Sequence, residues 1–372
     1  MDINEWALIK LLRISVGDAE DLSFPPEVDW NKVFELSLQQ GIVAVVLSGI
    51  NICRNNATEN LFVLDTIEWE DLKYKWMGYG MCYERDNAQQ KQRIGGLAQL
   101  FSDNGFMMLL LKGYGLSLYY PYPSFRPKGD IDIYMLGGSE ALSRKADTLI
   151  SEQLGIQVTK SKLGHHSHYT YDGTLVENHY ELSNTYFKGK SSLYLEGVLK
   201  MLAEESPKKF GPCYIPSANF NAVFLVWHLL THFCGEKIRI RQICDWMLFL
   251  KHEHENIDWP RVKEIWRQSG LEKMALVVSG IAVKYLGMPS EYIPDLERDE
   301  GLEQRVMDDI FDQKTGNSSL VSRISRYMTN GWKYKYVAET GAVIPMLKSL
   351  VMHIFHPSDI REENIFEKKV KL

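Results

Sequence analysis

The chain lacks most of the features that announce a function outright. Its five cysteines (Cys53, Cys82, Cys213, Cys234, Cys244) are scattered, odd in number and nowhere arranged as Cys-x-x-Cys. That pattern excludes a zinc knuckle and a disulfide framework, and it fits thiols kept reduced in a cytoplasm. No uncharged apolar run approaches the roughly 20 residues needed to cross a bilayer. The long late stretch Ala342 to Phe355 is broken by Lys348 and reads as a buried helix. The start, Met1-Asp2-Ile3-Asn4-Glu5, is acidic and lacks the basic-then-apolar order of an export signal, so the expected location is cytoplasmic, with no membrane partner. Excess basic charge is missing as well: 42 lysines and arginines face 48 aspartates and glutamates, a net charge of −6. Long nucleic acid is therefore not the expected partner. Internal repeats, low-complexity tracts and a His-Glu-x-x-His protease signature are also absent.

What is present is ordinary in bulk and specific in detail. The 372 residues, 45% apolar and 24% charged, suffice for two or three units with a normal core. Helical apolar spacing dominates residues 1–95, with Glu5 to Ile14, Asn31 to Gly41 and Trp69 to Leu100 as the clearest runs. Within the last, the polar stretch Asp86 to Arg93 reads as a solvated helix face. Residues 96–215 change character: strand-like runs occur at Phe106 to Leu111, Ile131 to Met135, Gln157 to Lys160, His166 to Tyr171 and Thr174 to Leu182. Gly137-Gly138-Ser139 and Gly155 bracket a helix over Ser139 to Leu154. Residues 216–372 return to helix, at Phe220 to Phe233, Gln242 to His252, Trp259 to Ser269 and Lys273 to Leu286. The expected class is α+β: a mixed sheet core flanked by N- and C-terminal helical regions.

The chemistry is concentrated in Leu111-Lys112-Gly113 and Arg126-Pro127-Lys128-Gly129-Asp130-Ile131-Asp132-Ile133. On a strand, Asp130 and Asp132 point to the same face, where two crowded carboxylates are best reconciled by a divalent cation. Just upstream, an apolar strand ends in Lys112 and Gly113, a turn able to offer backbone N–H groups to phosphate. Lys112 and Arg126 are placed to neutralise triphosphate charge.

A third carboxylate follows from counting. Asp172-Gly173 is the strongest short hairpin signal in the chain. A two-residue turn there sets His168 opposite Glu177 and His166 opposite His179, and cross-strand partners share a face. That face carries His166, His168, Glu177, His179 and Glu181; the other, with Tyr169, Val176 and Asn178, is the natural core face. Glu177 is the expected third acid, with Glu181 in reserve, and one competing use of the face is a metal-dependent hydrolase.

These residues resemble a known superfamily. Gly113 and Gly129-Asp130-Ile131-Asp132-Ile133 look like the nucleotidyltransferase pattern of a glycine turn followed by Asp-x-Asp. More closely, Leu111-Lys112-Gly113, Tyr119-Tyr120-Pro121, Arg126 and Gly129-Asp130-Ile131-Asp132 resemble the bacterial "uncharacterised nucleotidyltransferase" family. Its third acidic strand reads Glu-x-His-aromatic, matched by Glu177-Asn178-His179-Tyr180, and its C-terminal signature is matched by His228, His232, Arg239, Arg241, Asp245 and Trp246. The resemblance implies Mg²⁺ (or Mn²⁺) held by Asp130, Asp132 and Glu177, and a nucleoside triphosphate bordered by Lys112, Gly113, Arg126 and Arg241. The implied reaction is transfer of a nucleoside monophosphate to a small-molecule, protein or RNA-end acceptor. Lys112-Gly113 stands where the wider superfamily usually carries Gly-Ser, so a phosphate-binding hydroxyl is missing. A nucleotide-binding module without chemistry, or a toxin/antitoxin-type component, is the alternative.

Elsewhere, His228 and His232 share a helix face, as core histidines or as a cleft wall. Arg239 and Arg241 alternate with Ile238 and Ile240, so both face one side, for phosphate or for ion pairs with Glu236 or Asp245. His166, His168, His179 and Asp245 complete the candidate cleft. Basic and aromatic residues interleave over Ser322 to Val337, which reads as an amphipathic surface segment.

Overall fold

Among the described residues, the helical spacing before and after the middle segment is realised as α-helices packed on one mixed sheet. The computed structural model describes residues 1–16, 23–56, 67–160, 165–183, 190–235, 237–312 and 332–333. The stretch Ala342 to Phe355, most of Ser322 to Val337, and Glu236 lie outside the described residues. The chain opens with α1 (Ile3–Val16), α2 (Trp30–Gln39), α3 (Val43–Asn56) and α4 (Ile67–Asp103). The middle supplies β1 (Met108–Leu110), α5 (Tyr114–Ser117), β2 (Ile131–Met135), α6 (Glu140–Leu154), β3 (Thr159–Lys160), β4 (His166–Tyr171) and β5 (Thr174–His179). There follow α7 (Lys190–Glu204), β6 (Lys208–Phe210), β7 (Cys213–Ile215), α8 (Ala218–Gly235), α9 (Ile240–Glu253), α10 (Trp259–Ser269), α11 (Glu272–Leu286) and α12 (Glu300–Phe311).

Local signals explain most boundaries. Ser139 caps α6 by accepting from the Leu142 N–H, and Gly155 ends it at φ +65°. Asp258, Pro260 and Gly270 frame α10 in the same way. β5 is shorter than the expected run to Leu182. Past His179, the Leu182 and Ser183 N–H groups donate to the buried Glu196 carboxylate at 2.6 to 3.1 Å, which removes them from any ladder. Glu181 therefore lies beyond the strand.

The seven strands run in the order β3-β4-β5-β2-β1-β7-β6. β5 and β2 are parallel, as are β1 and β7; the other neighbours are antiparallel. Two apolar cores flank the sheet. One joins β1 and β2 to α4 (Ile94, Leu97, Phe101), α6 (Ala146, Ile150) and the hairpin (Tyr169, Val176). The other merges residues of α1, α2 and α3 with those of α7 to α12, so helices from both ends of the chain share one interior. Inside it the Trp246 indole N–H donates to Ser279 Oγ and that of Trp266 to Ala222 O, at 2.9 and 3.1 Å. Truncating a tryptophan so buried costs about 3–5 kcal/mol.

Candidate active site

The turn chemistry of Asp172-Gly173 sets the site's register. Both residues have positive φ (+46° and +77°), the requirement of a type I′ hairpin turn. Tyr171 therefore pairs with Thr174, His168 with Glu177 and His166 with His179. The parallel pairing of β5 with β2 then places Glu177 beside Asp132, and His179 beside Tyr134. Asp130 stands just before β2. The Leu111 N–H donates to Asp132 O at 3.0 Å, so the end of β1 delivers Lys112 to the same spot. Gly113 turns the chain at φ +63°, where a side chain would be strained.

Charges at this end of the sheet are compressed. Lys112 Nζ lies 3.1 Å from Asp132 Oδ1, and the Asp132 side chain is 1% exposed. His179 Nε2 lies 3.1 Å from the same oxygen and 3.4 Å from Glu177 Oε2. Burial alone would drive the Lys112 ammonium toward its neutral form, but Asp132, Asp130 and Glu177 outweigh it and hold its pKa above the ordinary value. His179 behaves alike: burial opposes its charge, yet its bonds to Asp132 and Glu177 raise it to about 9. Burial and the Asp132 charge push Asp130 upward. Glu177 is held down, against burial, by His179 and Lys112. Further out, His166 Nε2 is 3.9 Å from Glu177 Oε1, and the His166 and His168 rings are 6.0 Å apart. Burial and the neighbouring imidazoles lower His166 to about 3.

A second polar knot adjoins the first. Asp245, on α9, accepts from Arg126 Nε and Nη2 at 2.8 and 3.0 Å, and from the Tyr120 hydroxyl at 2.8 Å. Arg126 is thus a bidentate partner of Asp245, a pairing across 119 residues. Arg239 and Arg241 do not alternate on an extended segment: Arg239 precedes α9 and Arg241 lies in its first turn. Local capping decides this, because the Arg239 N–H donates to Gln242 Oε1 at 2.8 Å and the Ile240 N–H to Gln40 Oε1 at 2.9 Å. On α8, His228 and His232 share a hydrogen bond through their Nε2 atoms at 3.1 Å. Burial and the charges of Lys112 and Arg241 hold both neutral, His232 at about 4 and His228 well below its ordinary value.

The profile of a family described as "Uncharacterised nucleotidyltransferase" matches residues 26–287, more than half the chain. The chain belongs to this nucleotidyltransferase family. No curated protein and no solved structure matches it. The match runs from the N-terminal helices through the sheet to α11, so it takes in both polar knots of this nucleotidyltransferase-family chain.

The donors at the sheet's end are compatible with a metal ion. Asp132, Glu177 and His179 each offer a ligand atom, all within 4.8 Å of one another. A divalent cation suits two carboxylates and an imidazole. Three contributors escaped the sequence reading, and a fourth was named in it without a partner. His165 lies with its ring 4.2 Å from that of His166. Tyr120 was marked by resemblance alone, without a partner. Asn87 and Gln90 fall in the stretch read as solvated, yet Gln90 is 3% exposed and its Nε2 donates to Gly129 O at 3.0 Å. That polar face of α4 is turned onto the segment leading to Asp130, and a strict heptad-like apolar count cannot distinguish the two placements. A separate cavity of about 410 Å³, lined by Gln99, Ser102, Met107, Lys209 and Tyr214, opens at the opposite end of β1.

Proposed function

We propose that the chain is a metal-dependent nucleotidyltransferase whose sheet segment has the nucleotidyltransferase fold, and that it moves a nucleoside monophosphate from an NTP to an acceptor hydroxyl. The observation that carries this reading is the pairing of Asp132 with Glu177 on two adjacent parallel strands, against Lys112 and with Asp130 just before the first strand. Asp130, Asp132 and Glu177, joined by His179, hold the cation, which when bound supplies Lewis-acid neutralisation of phosphate charge. Mg²⁺ or Mn²⁺ fits these donors. Lys112 and the Gly113 turn border the phosphates, with Arg241 on the helical side, while Arg126 is committed to Asp245. The acceptor oxygen attacks the α-phosphorus, the bond from that phosphorus to the bridging oxygen breaks, and pyrophosphate leaves. Glu177, beside Asp132 and His179, is the carboxylate that takes the acceptor's proton. His166, His168, His228 and His232 line the acceptor's side, and the acceptor is a small molecule, a protein side chain or an RNA end.

Isothermal titration of the full chain with each NTP, with and without Mg²⁺ or Mn²⁺, tests the reading. Metal-dependent binding that is lost in Asp132→Asn is expected. Metal-independent binding, unchanged in the double variant Asp130→Ala/Asp132→Ala, overturns it. That second outcome describes a nucleotide-binding module, a reading favoured by the Lys112 ammonium seated on Asp132.

A further inference from the structure

Arg241 is a partly buried cation with no ion pair among the described residues. Its Nε is buried without a hydrogen-bond partner. The charge of Asp245 reaches it, but both Asp245 oxygens are taken by Arg126 and Tyr120. Position in the first turn of α9 adds to the problem, since the helix dipole is positive there and reinforces the guanidinium charge. The guanidinium lies over the Gly41 backbone and near Pro127: a Cβ on Gly41 would stand 3.5 Å from Nη1 and 3.7 Å from the proline ring.

The walls around it carry further unmet hydrogen-bonding groups. On α4, Tyr83, Asn87 and Gln90 are spaced four and three apart and share a face. The Arg241 charge reaches Tyr83 on that face. Asn87 Nδ2 and Gln90 Oε1 are both buried without partners. His228 and His232 lie within electrostatic reach of both Arg241 and Lys112, which lower their pKa together with burial. Leaving the Arg241 Nε and the Asn87 amide donor buried and unpaired is unfavourable unless a ligand completes them. A planar guanidinium flanked by neutral donors matches a phosphate oxyanion in both charge and geometry.

We propose that Arg241, with Asn87 and the His228–His232 pair, forms an oxyanion subsite that takes a phosphate group beside the three carboxylates. It rests on the nucleotidyl-transfer reading for its purpose, and the phosphate is either the far end of the NTP or one carried by the acceptor.

Titration calorimetry on the full chain with pyrophosphate, inorganic phosphate, AMP and ATP–Mg²⁺ decides it, in the wild type and in Arg241→Gln. The expected result is a loss of about tenfold or more in phosphate-group affinity in Arg241→Gln, partly restored in Arg241→Lys. If the subsite holds the NTP, the loss appears with ATP and pyrophosphate and not with AMP. If it holds the acceptor, ATP binds as before, and inorganic phosphate added to the ATP-saturated protein no longer binds. Thermal melting reports whether Arg241→Gln folds. Should it not, Asn87→Asp places a negative charge in the subsite and is expected to give the same loss. Unchanged affinity for every probe in a folded variant overturns the subsite. Phosphate binding through Arg241 in a protein that binds no NTP leaves the subsite standing and removes the nucleotidyl-transfer reading instead.

Discussion

Two buried aspartates, each with a cation about 3 Å away, behave as opposites. Asp245 is closed: Arg126 grips both its oxygens and Tyr120 adds a third bond. Asp132 is open: Lys112 and His179 both fall on Oδ1, one through a flexible ammonium and one through an imidazole shared with Glu177. The first arrangement is a brace between α9 and the segment that leads to Asp130. The second is a set of charges held in place by partners that an incoming ligand can exchange. Chemical type alone does not separate a structural ion pair from a reactive one; the number of committed oxygens and the stiffness of the partner do.

This contrast is open to attack from both sides. Asp132→Asn is expected to abolish NTP-dependent nucleotidyl transfer, by about a thousandfold or more, while leaving the urea midpoint close to wild type. A large loss of stability instead would make Asp132 a brace as well. Asp245→Ala is expected to do the reverse, lowering unfolding free energy by about 3–5 kcal/mol because Arg126 is left buried and alone. Equilibrium urea unfolding reads this directly, and a cost under about 1 kcal/mol would dissolve the distinction. His179→Gln is expected to weaken Mn²⁺ binding about 10- to 100-fold by calorimetry; no change would take His179 out of the cation's neighbourhood. Lys112→Met is expected to act in the opposite sense on the metal, tightening Mn²⁺ by up to about tenfold as the carboxylates lose their competing charge, while NTP binding weakens. Weaker Mn²⁺ in that variant would mean that Lys112 organises the carboxylates rather than competing for them.

Local rules carried much of this architecture. The type I′ turn at Asp172-Gly173 is written in two residues, and it alone puts Glu177 opposite His168 and His166 opposite His179. β2 and α6 were legible from an apolar run and from a cap and stop. Elements whose stability comes from packing were not. The β-branched start of α3 has no helical signature of its own, α7 and α12 went unassigned, and the three-residue strands β6 and β7 are too short to show a period. The candidate site divided the same way. That Asp132 and Glu177 stand side by side on β2 and β5 follows from alternation and counting, which need only strand geometry; Asp130 lies just before β2 and outside the ligand group of Asp132, Glu177 and His179. The grip of Arg126 on Asp245 and the contact of His179 with Asp132 depend on which strands and helices become neighbours, and no spacing encodes that. Arg239 and Arg241 misled because Ile-Arg-Ile-Arg imitates a strand while Gln242 and Gln40 cap a helix there.

The 37-residue α4 has a mechanical consequence. At 1.5 Å per residue it is a rod about 55 Å long. Near its start Leu72 and Trp76 are sunk in the helical interior; near its finish Leu97 and Phe101 are sunk beneath the sheet. Midway, Gln90 holds the peptide of Gly129, one residue from Asp130. A few residues later Arg93 ties the rod to the hairpin turn at Asp172, 3.0 Å away. Gly78 and Gly80 interrupt the rod on one side of that clamp, and Gly95 and Gly96 on the other, with open space beside Gly78 and Gly95. Each glycine softens a helix by about 1 kcal/mol relative to alanine. The span between the two glycine pairs carries Gln90 and Arg93. One helix therefore holds both the segment before Asp130 and the turn that sets Glu177, so the two sides of the carboxylate group share a single support.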